Sequence, residues 1–360
     1  MSKQSYLRQR LSELPDFVFT YIQSYYDGES VNTQIAYSID IKVFLTFLQL
    51  YRFPKVERLE DFTATHLAQV TADDLLGFKA YLREYEIYTT DADGNQVART
   101  VRNSNYGINR KLSAVRGLYS YLYKTDKIPQ NITDKITFTN INHKMKKPLT
   151  TQETVRILDV IFNGEKYYTG RDLTEYLKRK QRDSAIFTTY LGTGVRVSEL
   201  VNLNIDDISF DTSSFIVTRK GGEQQEIFMP PQVEQELHTY LEERRKIQAV
   251  DKNALFLSRG GRRMGIDAVE RNLKRYCMTA GVMHKDKTRP HALRRTFACR
   301  MLEDGIDIKM VAELMGHKNI EVTHKFYAQY SNQARKDVMR SFSILKPEES
   351  GADAGENKVG

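Results

Sequence analysis

Cysteine is nearly missing from this 360-residue chain: Cys277 and Cys299 are the only two. They form neither a CxxC pair nor a metal-ligand spacing. This excludes a disulfide scaffold and a structural cysteine–zinc site, and it suits a reducing cytoplasm. Long apolar runs are missing as well. No stretch approaches the roughly 18 consecutive apolar residues of a membrane span. The opening MSKQSYLRQRLSELPDF mixes charge where a secretory signal needs an apolar core. No repeat recurs at a fixed period, and no Asp/Glu cluster calls for a divalent metal. The Gly-rich turn of LFLSRGGRRMG (255–265) has neither P-loop nor dinucleotide-binding spacing. The expectation is a soluble, cytoplasmic protein that needs no cofactor, no metal and no membrane.

What is present is an excess of positive charge. Lys and Arg number 54 against 46 Asp and Glu, a formal net charge of +8. Such a balance favours a polyanionic partner, and nucleic acid is the usual one. The length suffices for two domains with their own cores.

Residues 31–50, VNTQIAYSIDIKVFLTFLQL, place Ile35, Ile39, Val43, Phe44, Phe47 and Leu48 at helical spacing. Thr71-Ala72-Asp73-Asp74 opens another helix through Leu75, Leu76, Phe78, Tyr81 and Leu82. The polar stretch TTDADGNQVARTVRN (89–103) reads as a loop with a turn at its Asp-Gly-Asn. SNYGINRKLSAVRGLYSYLYKT then carries an apolar stripe of Leu112, Val115, Tyr119 and Leu122. Asn109, Arg110, Lys111 and Arg116 supply a basic, amide-bearing face to the same helix. Residues 1–127 are therefore expected to be a small all-helical domain. Residues 128–147 shift to Pro, Asn and Thr, with a basic cluster at Lys144, Lys146 and Lys147, and read as an interdomain linker.

A second domain is expected over 148–345. Thr150-Thr151-Gln152-Glu153 is a capping-box pattern ahead of Val155, Ile157 and Leu158. Residues 163–182 are charged and read as a surface excursion before a core helix, DSAIFTTYLGTG. In GVRVSELVNLNIDDISF, Arg196 follows a Gly-Thr-Gly turn, and Glu199, three residues on, can brace it. The segments ISF, SFIVTR and QEIFMP alternate like strands, with a hairpin turn at Lys220-Gly221-Gly222. LFLSRGGRRMG reads as a short strand and a basic turn. The tail from 346 to 360 is polar, Gly-rich and expected to be disordered.

The stretch from Arg289 to Tyr330, RPHALRRTFACRMLEDGIDIKMVAELMGHKNIEVTHKFYAQY, concentrates the candidate chemistry. Pro290 fits a first helical turn. His291 and Arg294 lie three apart, on one helical face, and can address one anion together. Gly305 separates a second helix, which stops at Gly316-His317, and Tyr327 follows ten residues later.

Taken in order, Arg196 in TGVRVSELVNL, Lys220 in TRKGG, His291 and Arg294 in PHALRRTFA, His317 in LMGH and the following tyrosine resemble the tyrosine recombinase (phage-integrase) family. The second domain carries this resemblance over about 148–345. NTQIAYSIDIKVFLTFL and INRKLSAVRGLYSYL resemble the family's helical core-binding domain. The N-terminal segment, the 163–182 insertion and the VTRKGG hairpin are most like the single-protein Xer recombinases that resolve chromosome dimers.

The resemblance implies a mainly α fold, with a small antiparallel β-sheet in the catalytic domain and a helical core-binding domain before it. It implies a C-shaped clamp around a specific double-stranded DNA site and strand exchange through a 3′-phosphotyrosyl intermediate. Arg196 and Arg294 would clamp the phosphate, Lys220 would serve as general acid, His291 as base, and His317 as a further phosphate contact. Tyr327 would be the nucleophile. Family tyrosines often lie nine residues after the histidine, where this chain has Phe326; many integrases share the ten-residue spacing found here, so Tyr327 is the choice and Tyr330 the fallback. Asn109, Arg110 and Lys111 are the candidate DNA contacts of the first domain. A homotetramer on two sites is implied, with a final helix over 332–344 docking on a neighbour, and so is an accessory division or DNA-translocase protein. The rival readings are a mobile-element integrase or transposase, a type IB topoisomerase, and a DNA-binding protein that does not cleave. The N-terminal extension is short and no extra arm-binding domain is evident, which favours the Xer role.

Overall fold

A computed structural model describes residues 2–25, 31–91, 94–141, 146–219 and 221–316. Two units, Met1–Lys144 and Met145–Gly360, each build their own core.

The periodic segments of the first unit form helices α1 (Lys3–Leu11), α2 (Asp16–Thr20), α3 (Val31–Tyr51), α4 (Ala64–Ala68) and α5 (Ala72–Tyr81). A ribbon of strands β1 (Glu84–Thr90) and β2 (Gln96–Arg102) follows, and then helix α6 (Asn105–Lys124). The stripe on α3 buries Ile41, Phe44, Leu45, Phe47 and Leu48. It meets α6 edge-on, with the rings of Phe44 and Tyr119 6.2 Å apart. Thr71 caps α5: its hydroxyl accepts from the Asp74 N–H, and the Asp74 carboxylate accepts from the Thr71 N–H at 2.8 Å.

Two expectations for this unit change. The stretch 89–103 is not a loop but most of a ribbon, paired antiparallel from Glu84↔Arg102 to Thr90↔Gln96. The strands are joined between Asp91 and Asn95, with the Asp91 N–H donating to the Asn95 carbonyl at 3.0 Å. Val97, Arg99 and their neighbours along β2 are exposed, so no apolar alternation announces the strand. The segment read as a linker also begins inside the first unit. Ile128, Ile132 and Ile136, spaced four apart, are buried in its core. Two Arg116 donors reach the carbonyls of Thr133 and Ile136.

The second unit contains helices α7 (Thr151–Phe162), α8 (Gly170–Leu177), α9 (Lys180–Thr193) and α10 (Val197–Asn202). Strands β3 (Ile208–Ser209), β4 (Ser214–Thr218) and β5 (Gln224–Phe228) come next. They make one antiparallel sheet in sequence order. Helices α11 (Pro231–Arg245), α12 (Ile266–Thr279), α13 (Pro290–Glu303) and α14 (Ile308–Leu314) complete the described part. Helix α9 is central and packs against α7, α11 and α13. Asp183, fully buried near its start, is neutralised by Arg182 at 2.8 Å and also accepts from Asn272 and Tyr276.

The charged excursion at 163–182 is helical and anchored. Tyr176 of α8 is buried and donates to the Ile161 carbonyl at 3.0 Å. Around 255–265 the expected strand reduces to single bridges, Asn204↔Ala254 and Leu257↔Arg263. The buried guanidinium of Arg244 takes up the Ala254 and Leu255 carbonyls that a strand partner would otherwise have bonded. Cys277 and Cys299 are buried and unpaired. Among the described residues no helix is long and apolar enough to cross a membrane.

Candidate active site

Helix α9 ends at Gly194, where φ is +63°. A Cβ there would lie 2.3 Å from the Phe297 ring, so the turn needs glycine on two grounds. The chain emerges at Arg196, which caps α10. The Glu199 carboxylate holds it twice: one oxygen accepts the Arg196 backbone N–H at 2.8 Å, the other its Nη1 at 2.8 Å. The second guanidinium nitrogen of Arg196 donates to the Gly316 carbonyl at 3.1 Å. Glu199 is only 6% exposed, so this is not the weak surface pair that an i,i+3 spacing suggests. Burial alone would raise the carboxyl's pKa. Hydrogen bonds from the Arg196 backbone and side chain and from Arg219 overcome that and hold it below its ordinary value.

Pro290 opens α13, which carries His291 and Arg294 one turn apart. Arg294 is buried. Its Nη1 donates to the Gly194 carbonyl at 2.6 Å and its Nη2 to the Met315 carbonyl. Two guanidiniums, from residues 98 positions apart in sequence, thus converge on the successive carbonyls of Met315 and Gly316, directly before His317. Burial first, and the neighbouring Arg196 next, push the pKa of Arg294 down to about 10, which leaves it charged at neutral pH. The His291 ring keeps much of its surface open. Partial desolvation, then the charges of Arg294, Arg295, Lys146 and Arg196, hold it below its ordinary value and favour the neutral imidazole.

A third guanidinium, Arg219, enters from the end of β4. It is 7% exposed. Its Nη1 donates to Glu199 at 2.7 Å, its Nε to Gln225 Oε1 at 2.8 Å and its Nη2 to the Leu314 carbonyl at 3.4 Å. Gln225 in turn donates to the Glu313 carbonyl at 3.2 Å. Gly316, with φ at +61°, lies so close that a Cβ would meet the Arg219 guanidinium at 2.6 Å. Sequence reasoning passed over Arg219 in favour of Lys220. A signal was there: on β4 the inward positions are Phe215 and Val217, and the same alternation turns Arg219 inward.

Of the sequence-predicted residues, the structure brings Arg196 and Arg294 together and sets His291 one turn from Arg294. Lys220, His317, Tyr327 and Tyr330 lie outside the described residues, as does the expected 332–344 helix. The hairpin that bears Lys220 is described on either side of it, with Thr218 paired to Gln224 and the Arg219 N–H donating to the Glu223 carbonyl at 2.7 Å.

The three candidate DNA contacts of the first unit differ in what they offer. Lys111 is buried at 6% exposure, 3.7 Å from the fully buried Asp40 carboxylate and 3.1 Å from Asn103 Oδ1. Asn109 clamps Thr139, accepting its N–H and hydroxyl and donating to its carbonyl. Arg110 pairs with Asp40 at 2.8 Å while its side chain stays 44% exposed. Two of the three are therefore committed inward. A buried carboxylate and an irregular segment with unmet backbone groups needed them.

Electrostatically, the second unit offers guanidiniums held rigidly by backbone carbonyls, with one carboxylate fixed between Arg196 and Arg219. That is a preorganised cationic pocket suited to a phosphodiester. The comparisons agree. The phage integrase family model matches residues 169–334. Tyrosine recombinase XerC of Caldanaerobacter subterraneus subsp. tengcongensis is 31% identical over 321 residues, covering 87% of this chain and 82% of its own. Tyrosine recombinase XerS of Lactococcus lactis subsp. cremoris is 28% identical over 367 residues, covering 94% and 99% respectively. Among solved structures, the Tn1549 transposon integrase in complex with transposon right end DNA matches with a TM-score of 0.62 at 21% identity. That match covers 90% of this chain and 98% of the integrase, and it is a likeness of fold. The chain belongs to the tyrosine recombinase family of site-specific DNA recombination enzymes and is Xer-like within it.

Proposed function

We propose that this recombinase resolves chromosome dimers in the cytoplasm, at a dif-like site, by a metal- and ATP-independent strand exchange. The observation that carries the chemistry is the convergence of Arg196 and Arg294 on the Met315–Gly316 carbonyls. In this reading the two guanidiniums bind the non-bridging oxygens of the scissile phosphate and offset the charge that gathers there. The Tyr327 hydroxyl, with an ordinary pKa near ~10, needs a base, and the neutral His291 takes its proton. The bond from Tyr327 Oη to phosphorus forms as the bond from phosphorus to the 5′-oxygen breaks. Lys220 gives that oxygen its proton, and His317 donates a further hydrogen bond to the phosphate. The phosphotyrosyl link conserves the diester, so a 5′-hydroxyl can reverse the step without ATP.

Four protomers on two sites would carry out the exchange, with the 332–344 segment docking on a neighbour and an accessory division or DNA-translocase protein governing its timing. In the first unit Arg110, the exposed member of its trio, would make the phosphate contact. The dimer-resolution role is supported by the match to relatives named XerC and XerS along most of their length. A mobile-element integrase would share every chemical step and differ in the site it cuts.

The test is a nicked suicide duplex bearing the candidate site, incubated with the full chain without metal or ATP. Wild type should form a covalent adduct, Tyr327→Phe none, and Tyr330→Phe a normal amount. Adduct from Tyr327→Phe that is lost in Tyr330→Phe would move the nucleophile to Tyr330. No adduct from wild type on its cognate site would overturn the cleavage reading.

A further inference from the structure

We propose that Arg219 is a positioning residue for the leaving-group proton transfer, fixing the base of the β4–β5 hairpin so that its chain neighbour Lys220 reaches the departing 5′-oxygen. The proposal rests on the reading of Lys220 as the general acid. Its own support is independent of that reading and lies in what one guanidinium ties together.

A lysine general acid on a two-stranded hairpin has a difficulty. A lysine stem is flexible in general, and the two glycines of the turn, Gly221 and Gly222, both stand at positive φ, where they supply no side chain as an anchor. Placing a reacting group within hydrogen-bond reach requires a fixed point of attachment. Arg219 provides one. Its backbone closes the hairpin, the N–H donating to the Glu223 carbonyl at 2.7 Å and the carbonyl accepting from the Gly222 N–H at 3.1 Å. Its side chain leaves the sheet and enters the unit, where it is buried. There it makes three separate attachments. The Glu199 carboxylate fixes it to the start of α10, and thereby to the partner of Arg196. The Leu314 carbonyl fixes it to the end of α14, beside the Gly316 turn that precedes His317. Gln225 fixes it across the hairpin to β5 and, through the Glu313 carbonyl, to α14 again. The hairpin is thus bound on both strands to the elements that carry the phosphate clamp. The forked, planar guanidinium is what allows one side chain to address three partners; an ammonium could not span them.

The experiment compares single-turnover cleavage on two suicide duplexes, one natural and one with sulfur in place of the scissile 5′-oxygen. A thiol leaving group has a pKa near ~8.5 and departs as thiolate without a proton donor, whereas an alkoxide needs one. Arg219→Met should slow cleavage of the oxygen substrate about 100-fold, the scale of a misplaced catalytic group. On the sulfur substrate it should recover to within about threefold of wild type, as should Lys220→Ala, because the step that fails is no longer required.

Arg219→Met leaves Glu199 without its buried partner, so Arg219→Lys is tested beside it, with melting curves for both. The lysine keeps the charge but loses the fork, and its smaller defect should also vanish on sulfur. A defect in either variant that persists on sulfur, while Lys220→Ala recovers, would overturn the proposal and point to Arg196, reached through Glu199. Arg219 variants as fast as wild type on oxygen would overturn it too. Failure of Lys220→Ala to recover would overturn the reading of Lys220 itself, and the proposal would fall with it.

Discussion

Glu199→Gln is the substitution whose effect the structure fixes best. The carboxylate sits between two guanidiniums, 2.8 Å from Arg196 and 2.7 Å from Arg219, with side-chain exposures of 5% for Glu199 and 6% for Arg219. Removing one partner of a buried ion pair costs about 3–5 kcal/mol, because the other charge is left behind. Here the loss falls at the low end, about 3 kcal/mol, since a glutamine oxygen still accepts hydrogen bonds. Arg219 also keeps its bonds to Gln225 and the Leu314 carbonyl. In a unit of this size each kcal/mol moves the melting temperature by about 2–4 °C, so calorimetry at pH 7 should show a fall of about 6–12 °C. The pH dependence is the sharper check. The folded pKa of Glu199 lies below its ordinary 4.5. Its stabilisation is therefore complete above 4.5 and is lost as pH falls through the folded value. Wild-type and variant melting temperatures should approach each other in that acid range. A fall of less than about 2 °C at pH 7, or a gap that stays constant with pH, would refute the buried-pair account.

Two further outcomes follow from burial and charge. Lys111→Met leaves Asp40 with Arg110 alone, and should destabilise the first unit by about 3 kcal/mol at pH 8. Burial has raised the Asp40 pKa to about 6, against the pull of Arg110 and Lys111; without Lys111 it rises further, so the loss should shrink as pH falls toward 6 and level off below it, once the carboxyl is protonated in both proteins. A variant that melts like wild type but binds DNA less tightly would restore Lys111 to the DNA face. For His291, whose pKa is held below 6.5, the acid limb of cleavage at subsaturating DNA should lie below pH 6.5. A limb at or above 6.5 that disappears in His291→Gln would show that the charges around the ring do not act as described.

Helices were legible in the sequence wherever apolar residues recurred at helical spacing over a long stretch, as in α3, α6 and α7, and the capping residues Thr71 and Thr150 marked the starts of α5 and α7. Legibility failed where burial was not one-sided. β2 exposes nearly all its side chains, so it has no alternation to detect. The segment 128–141 is rich in Asn and Thr and reads as linker. Yet Ile128, Ile132 and Ile136 pack inward while Asn109 and Arg116 bond its backbone. Those partners lie 20 to 30 residues away, and local composition carries no trace of such a pairing. The same blindness hides the inward partners of Asn109 and Lys111. A polar face on an amphipathic helix looks solvent-bound until the buried Asp40 and the returning segment claim it.

The candidate site was legible for a different reason, and only in part. Arg196, His291 and Arg294 stood out through their order and local context, because no periodicity or charge count distinguishes them from the other basic residues of the chain. What the order could not convey is how they are held. Arg294 depends on the Gly194 carbonyl exactly one hundred positions away, and Arg196 on Gly316, one hundred and twenty away. Arg219 belongs to the same lattice, yet it carries no family signature; its evidence is that a charged residue falls on the inward register of a strand. An arginine there is costly unless several acceptors await it. Here they come from α10, β5 and the end of α14. Motif order therefore singles out the candidate phosphate-binding groups, while inward-facing charge singles out the groups that hold them in place. The second criterion needs only strand register and a burial argument, and in this chain it selects the residue next to Lys220.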